Sequence, residues 1–319
     1  MTAQTSEAEQ PRIIRLTDEE LATKTMGSYN LQAALEALHA DGLVVLENAV
    51  DPAHLDHLNK RMVADAEKLK LRQKAHVNFS AETRNFQQEP VPEEGYVFDD
   101  IIANPWAAEI LEHMLGPKPK IRLYSANTAF KAEARQPVHI DMALGFPHTP
   151  FGFCVNINLV STSPENGATE FWLGTHNDPA LEALTINGHG DDGPDPAIAL
   201  EKKAARAKDL GVPIDFAAKL VEERRKVRPP IQASLPKGSL IIRDIRIWHA
   251  GMPNRTDDTR IMLVTVAVAP WYRNEQKILL PMRWQNRIQW GKLDPCVEWV
   301  ENDRDYLQGL HDINLAQLP

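Results

Sequence analysis

Two side chains that commonly bind metal ions stand one residue apart in the middle of the chain. They are His139 and Asp141. Alternate side chains of an extended strand point to the same face, so both can reach one metal ion. The best candidate for a third ligand is His249, in residues 247–251. Two imidazoles and one carboxylate leave other metal positions open, an arrangement that suits non-haem Fe(II) and its oxidative chemistry.

An arginine opens the apolar strand that follows His249. Arg260 stands directly before residues 261–264, all of them apolar. A buried guanidinium needs an anionic partner, and a carboxylate that accepts two parallel hydrogen bonds is the natural one. The dicarboxylate 2-oxoglutarate can bind a metal through one end and such an arginine through the other. Arg255 is a rival, but its neighbours are typical of an exposed turn, which favours Arg260.

Several short motifs surround these residues in a fixed order. They are Gln136-x-x-His139-x-Asp141, then Pro164-Glu-Asn-Gly-Ala-Thr169, then Gly174-Thr-His176, then Trp248-His249-x-Gly251, and finally Arg260. In this order they resemble the phytanoyl-CoA dioxygenase family, and most of all its natural-product branch, which includes fungal biosynthetic oxygenases. The resemblance extends over residues 28–275. One departure is Leu173, which stands where the family usually has proline, in a turn where we expect no chemical consequence.

The resemblance implies a role for each matched residue. It assigns Fe(II) binding, with O2 as co-substrate, to His139, Asp141 and His249, and 2-oxoglutarate binding to Arg260, Thr169, Gln136 and Gly251. Arg260 would bind the distal carboxylate, and the Thr169 hydroxyl and Gln136 amide would donate hydrogen bonds to the cofactor. Ordinary hydrogen bonding at a strand edge is the alternative for Thr169 and Gln136. Related halogenases have a small residue in place of Asp141, so its presence disfavours halogenation.

Residues around the motifs are candidates for the substrate pocket. We expect Tyr124, Asn127, Phe146, Phe153 and Trp248 to line it. Packing in the core is the alternative for the aromatic side chains. Two further histidines near the motifs, His148 and His176, are expected to be structural.

The expected function is 2-oxoglutarate-dependent oxidation of a small organic molecule, with release of succinate and CO2. Hydroxylation, desaturation or related C–H chemistry on a natural-product intermediate would fit. The alternative is a catalytically inactive, cupin-like protein that binds a metal or a small molecule and does not need Arg260. An isomerase or hydrolase would need an acid–base residue beside the metal, and none is evident. A bare His-x-Asp pattern is often accidental, so Arg260 is what favours the oxygenase.

Composition narrows the classes of partner. The chain has 319 residues, 43% of them hydrophobic, and a formal net charge of -9. A negative surface repels phosphate backbones, so a nucleic-acid partner is not expected. No apolar run reaches the roughly 18 residues of a membrane span. Cys154 and Cys296 match no metal or redox motif, as expected for reduced thiols in a cytoplasmic protein. The aromatic residues 284–299 could pack on the core or form a homodimer contact.

The pattern of apolar residues predicts helices first and strands afterwards. Helical spacing is found in residues 31–39, after Asp51-Pro52 and in residues 106–115, and residues from Ile121 onwards are rich in β-branched side chains. This order predicts an α+β fold, and the resemblance implies that its core is a double-stranded β-helix (a cupin-like jelly roll) with flanking N-terminal helices.

The domain organisation follows from the same pattern. Residues 1–27 are predicted to be a flexible arm, and residues 28–319 a single catalytic domain. A long helical insertion is expected at residues 177–229. Insertions of this length often serve as lids. We therefore expect this segment and the aperiodic residues 73–100 to cover the mouth of the site.

Overall fold

A computed structural model describes residues 9–142, 149–178, 181–187 and 196–308 of the chain. Its helices are α1 Asp18–Thr23, α2 Ser28–Asp41, α3 Pro52–Leu69, α4 Asp99–Ile102, α5 Pro105–Leu115, α6 Pro196–Asp209 and α7 Phe216–Val227. Its strands are β1 Ile13–Arg15, β2 Leu43–Glu47, β3 Asn85–Gln88, β4 Lys120–Ala129, β5 Gly152–Asn158, β6 Glu170–Trp172, β7 Leu240–Asp244, β8 Trp248–Ala250, β9 Arg260–Val268, β10 Ile278–Pro281, β11 Asp294–Pro295 and β12 Val297–Val300. Within these ranges, none of the helices combines the length and apolarity needed to cross a membrane.

The N-terminal helices begin and end where the sequence predicts. Helix α2 ends at Gly42, whose φ of 73° is a left-handed conformation that glycine adopts without steric cost. Helix α3 begins after Asp51, whose carboxylate accepts a hydrogen bond from the Ala53 amide at 2.8 Å, and Pro52 fits the first turn. The short run between these helices is strand β2, also as predicted.

The prediction of a flexible arm is wrong for the part of residues 1–27 that the structure describes. Strand β1 pairs in parallel with β2, because Ile14 can bury its side chain in the core. Helix α1 then starts at a capping box in which Thr17 and Glu20 each accept from the other's backbone amide. Residues 1–8 lie outside the described residues.

A large mixed sheet organises the molecule. Its strands are hydrogen-bonded in the order β1-β2-β7-β5-β9-β4-β11, with β3 paired to β4 as the eighth strand. One face packs against the N-terminal helices and forms the main hydrophobic core. The architecture is thus a mixed α/β fold built on one large sheet.

A small antiparallel sheet faces the other side of the large sheet. It consists of β6 and β8, and single β-bridges extend it on both edges: His139 to His249 on one side, and Phe171 to Ile231 on the other. Apolar side chains from both sheets, among them Val45 and Ile241 of the large sheet, fill part of the space between them. The predicted ligands therefore lie on the sheet that closes this space.

The insertion forms two helices, not a single helical stretch. Helices α6 and α7 pack on the outer face of the small sheet, where Ala217 and Val221 meet Trp172 and Trp248. The expectation that this segment covers the mouth is not supported, because its described helices stand behind the ligand-bearing strands. They support those strands from the outside.

One other segment differs from its prediction, and the aromatic tail follows one of its two predicted alternatives. Residues 73–100 contain β3 and the start of α4, and β3 is an antiparallel partner of β4. The aromatic tail packs on the chain's own core, since Trp284, Ile288 and Leu293 are buried there. The structure therefore gives the tail an intramolecular role.

Candidate active site

Backbone pairing brings the two predicted histidine ligands together. The His139 amide donates to the His249 carbonyl at 3.0 Å, and the His249 amide donates to the His139 carbonyl at 2.9 Å. The Asp141 amide donates to the Ile245 carbonyl at 3.2 Å. Because His139 and Asp141 are alternate residues, both side chains project from one face, as the sequence predicts.

The side chains of the triad have the geometry of a metal site. The Nδ1 atoms of His139 and His249 lie 2.9 Å and 3.0 Å from backbone carbonyls two residues earlier. A proton on Nδ1 that donates to a carbonyl leaves Nε2 as the ligating atom. The two Nε2 atoms lie 3.9 Å and 3.3 Å from Asp141 Oδ1. One ligand atom from each residue lies within 4.8 Å of the others, close enough to share one ion.

The second carboxylate oxygen of Asp141 has its own partners. Its Oδ2 accepts a charged hydrogen bond from Arg243 at 2.7 Å, and the Cys154 thiol lies 3.5 Å away. Burial opposes ionisation, but Arg243 and the two imidazoles outweigh it and hold the pKa of Asp141 well below its usual value. Burial raises the pKa of the Cys154 thiol, so it stays protonated. Asp141 is therefore ionised, as a carboxylate that could bind a metal must be.

Arg260 is a buried cation that has no carboxylate partner among the described residues. Only 2% of the residue is exposed, and its guanidinium donates to the carbonyls of Gly167 at 2.7 Å and Asn166 at 3.4 Å. No carboxylate of the described residues pairs with it, and burial alone lowers its pKa to about 10. A desolvated cation of this kind is stabilised when an anion binds. The rival Arg255 is 57% exposed in its side chain and lies near Glu133.

Gln136 and Gly251 contact each other beside the triad. The Gly251 backbone amide donates to Gln136 Oε1 at 2.8 Å, and the Gln136 backbone amide donates to the Gly251 carbonyl at 2.9 Å. A Cβ on residue 251 would lie 2.5 Å from Gln136 Oε1, so a larger residue there would displace the Gln136 side chain. The side-chain carbonyl of Gln136 thus accepts from the Gly251 backbone, while a cofactor role for its side-chain NH2 group stays a prediction.

Thr169 and Asn127 lie near the same interior space. Thr169 precedes β6 and follows the loop whose Gly167 carbonyl contacts Arg260. Asn127 is opposite Met262 on β9, and its Oδ1 accepts from Asn78 Nδ2 at 2.9 Å. Both positions are compatible with the predicted roles, which remain predictions.

Tyr124 and Phe153 do not face the triad, so their assignment to the pocket is wrong. Cys154 points towards Asp141, and alternation along β5 sends Phe153 to the opposite face. Tyr124 is opposite Thr265 on β9. The β9 residues that share a face with Thr265 belong to the core that packs against the N-terminal helices. Both aromatic side chains are buried in the core beneath the N-terminal helices. The aromatic character of a strand residue did not reveal its face.

Trp248 is misassigned for the same reason. Its neighbour His249 points inwards, so Trp248 points outwards and packs against Trp172 beneath the insertion. The buried His176 is structural, as expected, and burial lowers its pKa. Phe146 and His148 lie outside the described residues.

Three residues at the site were not predicted. Arg243 and Cys154 contact Asp141, and Phe79 places its ring 4.5 Å from the His139 ring. Phe79 has a φ of 69°, a conformation that costs a non-glycine residue about 1–2 kcal/mol. A charged residue within the apolar run of β7 was a signal for Arg243. For Phe79 the sequence offers none.

The site and the family of the chain agree. The His–Asp–His cluster has the donor set of a non-haem iron enzyme that uses 2-oxoglutarate. The chain belongs to the phytanoyl-CoA dioxygenase (PhyH) family, since residues 38–262 match that family's model. The chain is thus a dioxygenase-type oxidoreductase with iron and 2-oxoglutarate as cofactors, and His139, Asp141 and His249 are the residues that could hold the iron.

Solved structures share the fold. The epimerase SnoN from nogalamycin biosynthesis, in complex with Fe3+, alpha ketoglutarate and nogalamycin RO, is 17% identical over 76% of this chain and 85% of its own, with a TM-score of 0.51. AviO1 from Streptomyces viridochromogenes Tue57 is 18% identical over 77% and 98%, also at 0.51. The carbocyclase SnoK is 12% identical over 77% and 85%, at 0.50. At these identities the likeness establishes the fold alone.

Proposed function

We propose that this protein oxidises a C–H bond of a small, largely apolar natural-product intermediate, with 2-oxoglutarate converted to succinate and CO2. The observation that carries the proposal is the buried Arg260 without a carboxylate partner among the described residues. A metal-binding protein without 2-oxoglutarate would have no use for that uncompensated charge. The triad supplies the second requirement, three ligand atoms that can meet on one ion.

We infer the following division of labour within the chain. His139, Asp141 and His249 hold the iron, and Arg260 binds the distal carboxylate of the cofactor, with the Thr169 hydroxyl and the Gln136 amide as further donors. Bound iron and 2-oxoglutarate activate O2 and supply the oxidising chemistry, so no side chain must act as the oxidant. The chain binds and orients the reactants and excludes water.

The side chains on the triad's side of the large sheet are mostly apolar, which supports the proposal of an apolar substrate. Arg260 shares its face of β9 with Met262, Val264 and Val266, and Val266 is opposite Cys154 on β5. Phe79 adds an aromatic ring beside His139. Among the relatives in fold, SnoN is an epimerase and SnoK a carbocyclase from nogalamycin biosynthesis. Hydroxylation, desaturation and ring chemistry all begin with removal of a hydrogen atom and are the outcomes we expect.

The arrangement of the two sheets supports the predicted core. We infer that the large sheet and the bridged small sheet form a double-stranded β-helix, with residues 28–319 as one catalytic domain and the metal site between the sheets. The bridges from His139 to His249, from Phe171 to Ile231 and from Thr162 to Leu235 support a four-segment small sheet of the jelly-roll type.

Substrate-dependent turnover of the cofactor tests the proposed function. Purified protein with Fe(II), 2-oxoglutarate and O2 is screened against fractions of a metabolite extract, with succinate as the readout. We expect one fraction to stimulate succinate release and one compound in it to gain an oxygen atom or lose two hydrogens. The Asp141→Ala variant is the control. Binding of fraction components without any succinate would instead favour the catalytically inactive, small-molecule-binding alternative.

A further inference from the structure

Arg243 is a buried cation that contacts a ligand of the triad. It lies on β7, 5% exposed, and its Nη2 donates to Asp141 Oδ2 at 2.7 Å. The other oxygen, Oδ1, is the one that lies near the two imidazoles, 3.3 Å and 3.9 Å from their Nε2 atoms. The two oxygens of one carboxylate therefore have separate partners.

The guanidinium is itself held in place. Its Nε donates to Asn156 Oδ1 at 2.9 Å, and Asn156 is 1% exposed on the neighbouring strand β5. This contact fixes the plane of the guanidinium and leaves Nη2 directed at Asp141. The Cys154 thiol, 3.5 Å from the same Oδ2, adds a weak donor from β5. Three residues of the large sheet, Arg243, Asn156 and Cys154, thus determine the orientation of the Asp141 carboxylate.

Stability alone does not account for this arrangement. Within the described residues, Arg243 Nη1 and Asn156 Nδ2 are buried and have no hydrogen-bond partner. Unsatisfied buried donors each cost about 1–3 kcal/mol, and an apolar residue often replaces a buried ion pair without loss of stability. A contribution to folding alone therefore does not require a charged pair at this position.

We propose that Arg243 is a positioning residue that occupies Asp141 Oδ2 and so restricts Asp141 to one metal-binding oxygen, Oδ1. A carboxylate can bind a metal through one or both of its oxygens. Binding through both would take a coordination position that 2-oxoglutarate or O2 needs. Arg243 would keep that position free for them when the metal is bound. The inference rests on the proposed function and deepens it, because it assigns this device to the same site.

The test uses Co(II) in place of iron, at saturating concentration and without O2. The visible spectrum of bound Co(II) reports its coordination, and calorimetric titration with 2-oxoglutarate reports cofactor affinity. In Arg243→Met we expect an altered Co(II) spectrum before the cofactor is added and about tenfold weaker 2-oxoglutarate binding. Asn156→Leu, which retains the charge but removes its anchor, should shift both readouts in the same direction by less.

Arg246→Met is the matched control. Arg246 is equally buried and forms an ion pair with Asp244 at 2.6 Å, yet it contacts no ligand of the triad. We expect it to lower stability but to leave the Co(II) spectrum and the cofactor affinity of the folded protein unchanged.

Spectra and affinities of Arg243→Met and Asn156→Leu equal to those of the wild type would overturn the proposal. If the wild type binds no 2-oxoglutarate, the proposed function fails, while the Co(II) spectra still test the role of Arg243. If Arg243→Met does not fold, Asn156→Leu decides.

Discussion

At the scale of single residues, the site consists of charges that the fold has placed out of water. Asp141 is balanced by Arg243, whereas Arg260 has only backbone carbonyls of the described residues around it. An ion in a low-dielectric interior is stabilised by a partner of opposite charge, and the distal carboxylate of 2-oxoglutarate is the partner that we propose for Arg260. The sequence signalled Arg260 because it opens an apolar strand.

Replacement of Arg260 tests the cofactor site. In Arg260→Met we expect 2-oxoglutarate affinity to fall by about 100-fold, because loss of one partner of a buried charge pair costs several kcal/mol. Metal binding should persist, since Arg260 contacts none of the three ligands. Calorimetry with Mn(II) and 2-oxoglutarate measures both. Arg255→Met, at an exposed arginine nearby, is the control and should bind the cofactor like the wild type. Equal affinities in both variants would contradict the assignment.

At the scale of elements, strand β8 with His249 and the bridged segment with His139 are supported from the outside by the insertion. Their inward residues form the triad, and their outward residues Val138, Ile140 and Trp248 pack under helices α6 and α7. The long insertion therefore contributes a second small core behind the metal site. Its apolar face is separated from the metal by the thickness of one sheet.

Mutations in helix α7 separate stability from metal binding. Val221 is buried against the small sheet, so Val221→Ala should lower the free energy of unfolding by about 1–2 kcal/mol. Metal affinity of the folded protein should not change, because the side chain lies on the outer face. Val227, on the same helix but 78% exposed, provides the matched variant Val227→Ala, expected within about 0.5 kcal/mol of the wild type. Chemical denaturation measures both. Equal stability of the two variants would rule out this packing.

At the scale of the whole molecule, the C-terminal segment ties distant parts together. Asp65 of helix α3 accepts hydrogen bonds from Arg61, Lys68 and Tyr306, and Arg304 forms an ion pair with Glu89. Burial opposes ionisation of Asp65, but its three donors outweigh this effect and lower its pKa.

This pKa shift predicts a pH dependence of stability. A carboxyl group whose pKa is lower in the folded state stabilises the fold above its unfolded pKa, about 3.9, and loses that contribution as the pH falls through the folded value. Asp65→Asn should therefore cost about 2 kcal/mol at pH 7 and progressively less below pH 4. Urea unfolding at pH 7 and at a pH below 4 measures this cost. Asp215→Asn, at an exposed position, is the control, and its free energy of unfolding should differ little from that of the wild type. A cost for Asp65→Asn that does not depend on pH would contradict the argument.

Much of this architecture could be predicted from local signals, and the failures have physical causes. The caps of α2 and α3 are encoded within a few residues. Strand β3 was missed because it is polar. Its Gln88 can be buried because Thr128 donates to its Oε1 at 2.6 Å and its Nε2 donates to the Met62 carbonyl at 3.1 Å. The face of a strand residue depends on register across the sheet, which explains the wrong positions of Tyr124 and Phe153. The triad was predictable because one strand spacing fixes two of its members.

The central claim is that the triad and Arg260 together bind iron and 2-oxoglutarate, and an anaerobic titration tests it most directly. Fe(II) and 2-oxoglutarate are added to the wild type and to the His249→Ala and Arg260→Met variants while visible absorption is recorded. We predict a weak charge-transfer band in the wild type that saturates at one cofactor per chain. The band should be absent from His249→Ala and should require far more cofactor in Arg260→Met. A wild type without the band, or a band that is unchanged in both variants, would contradict the account.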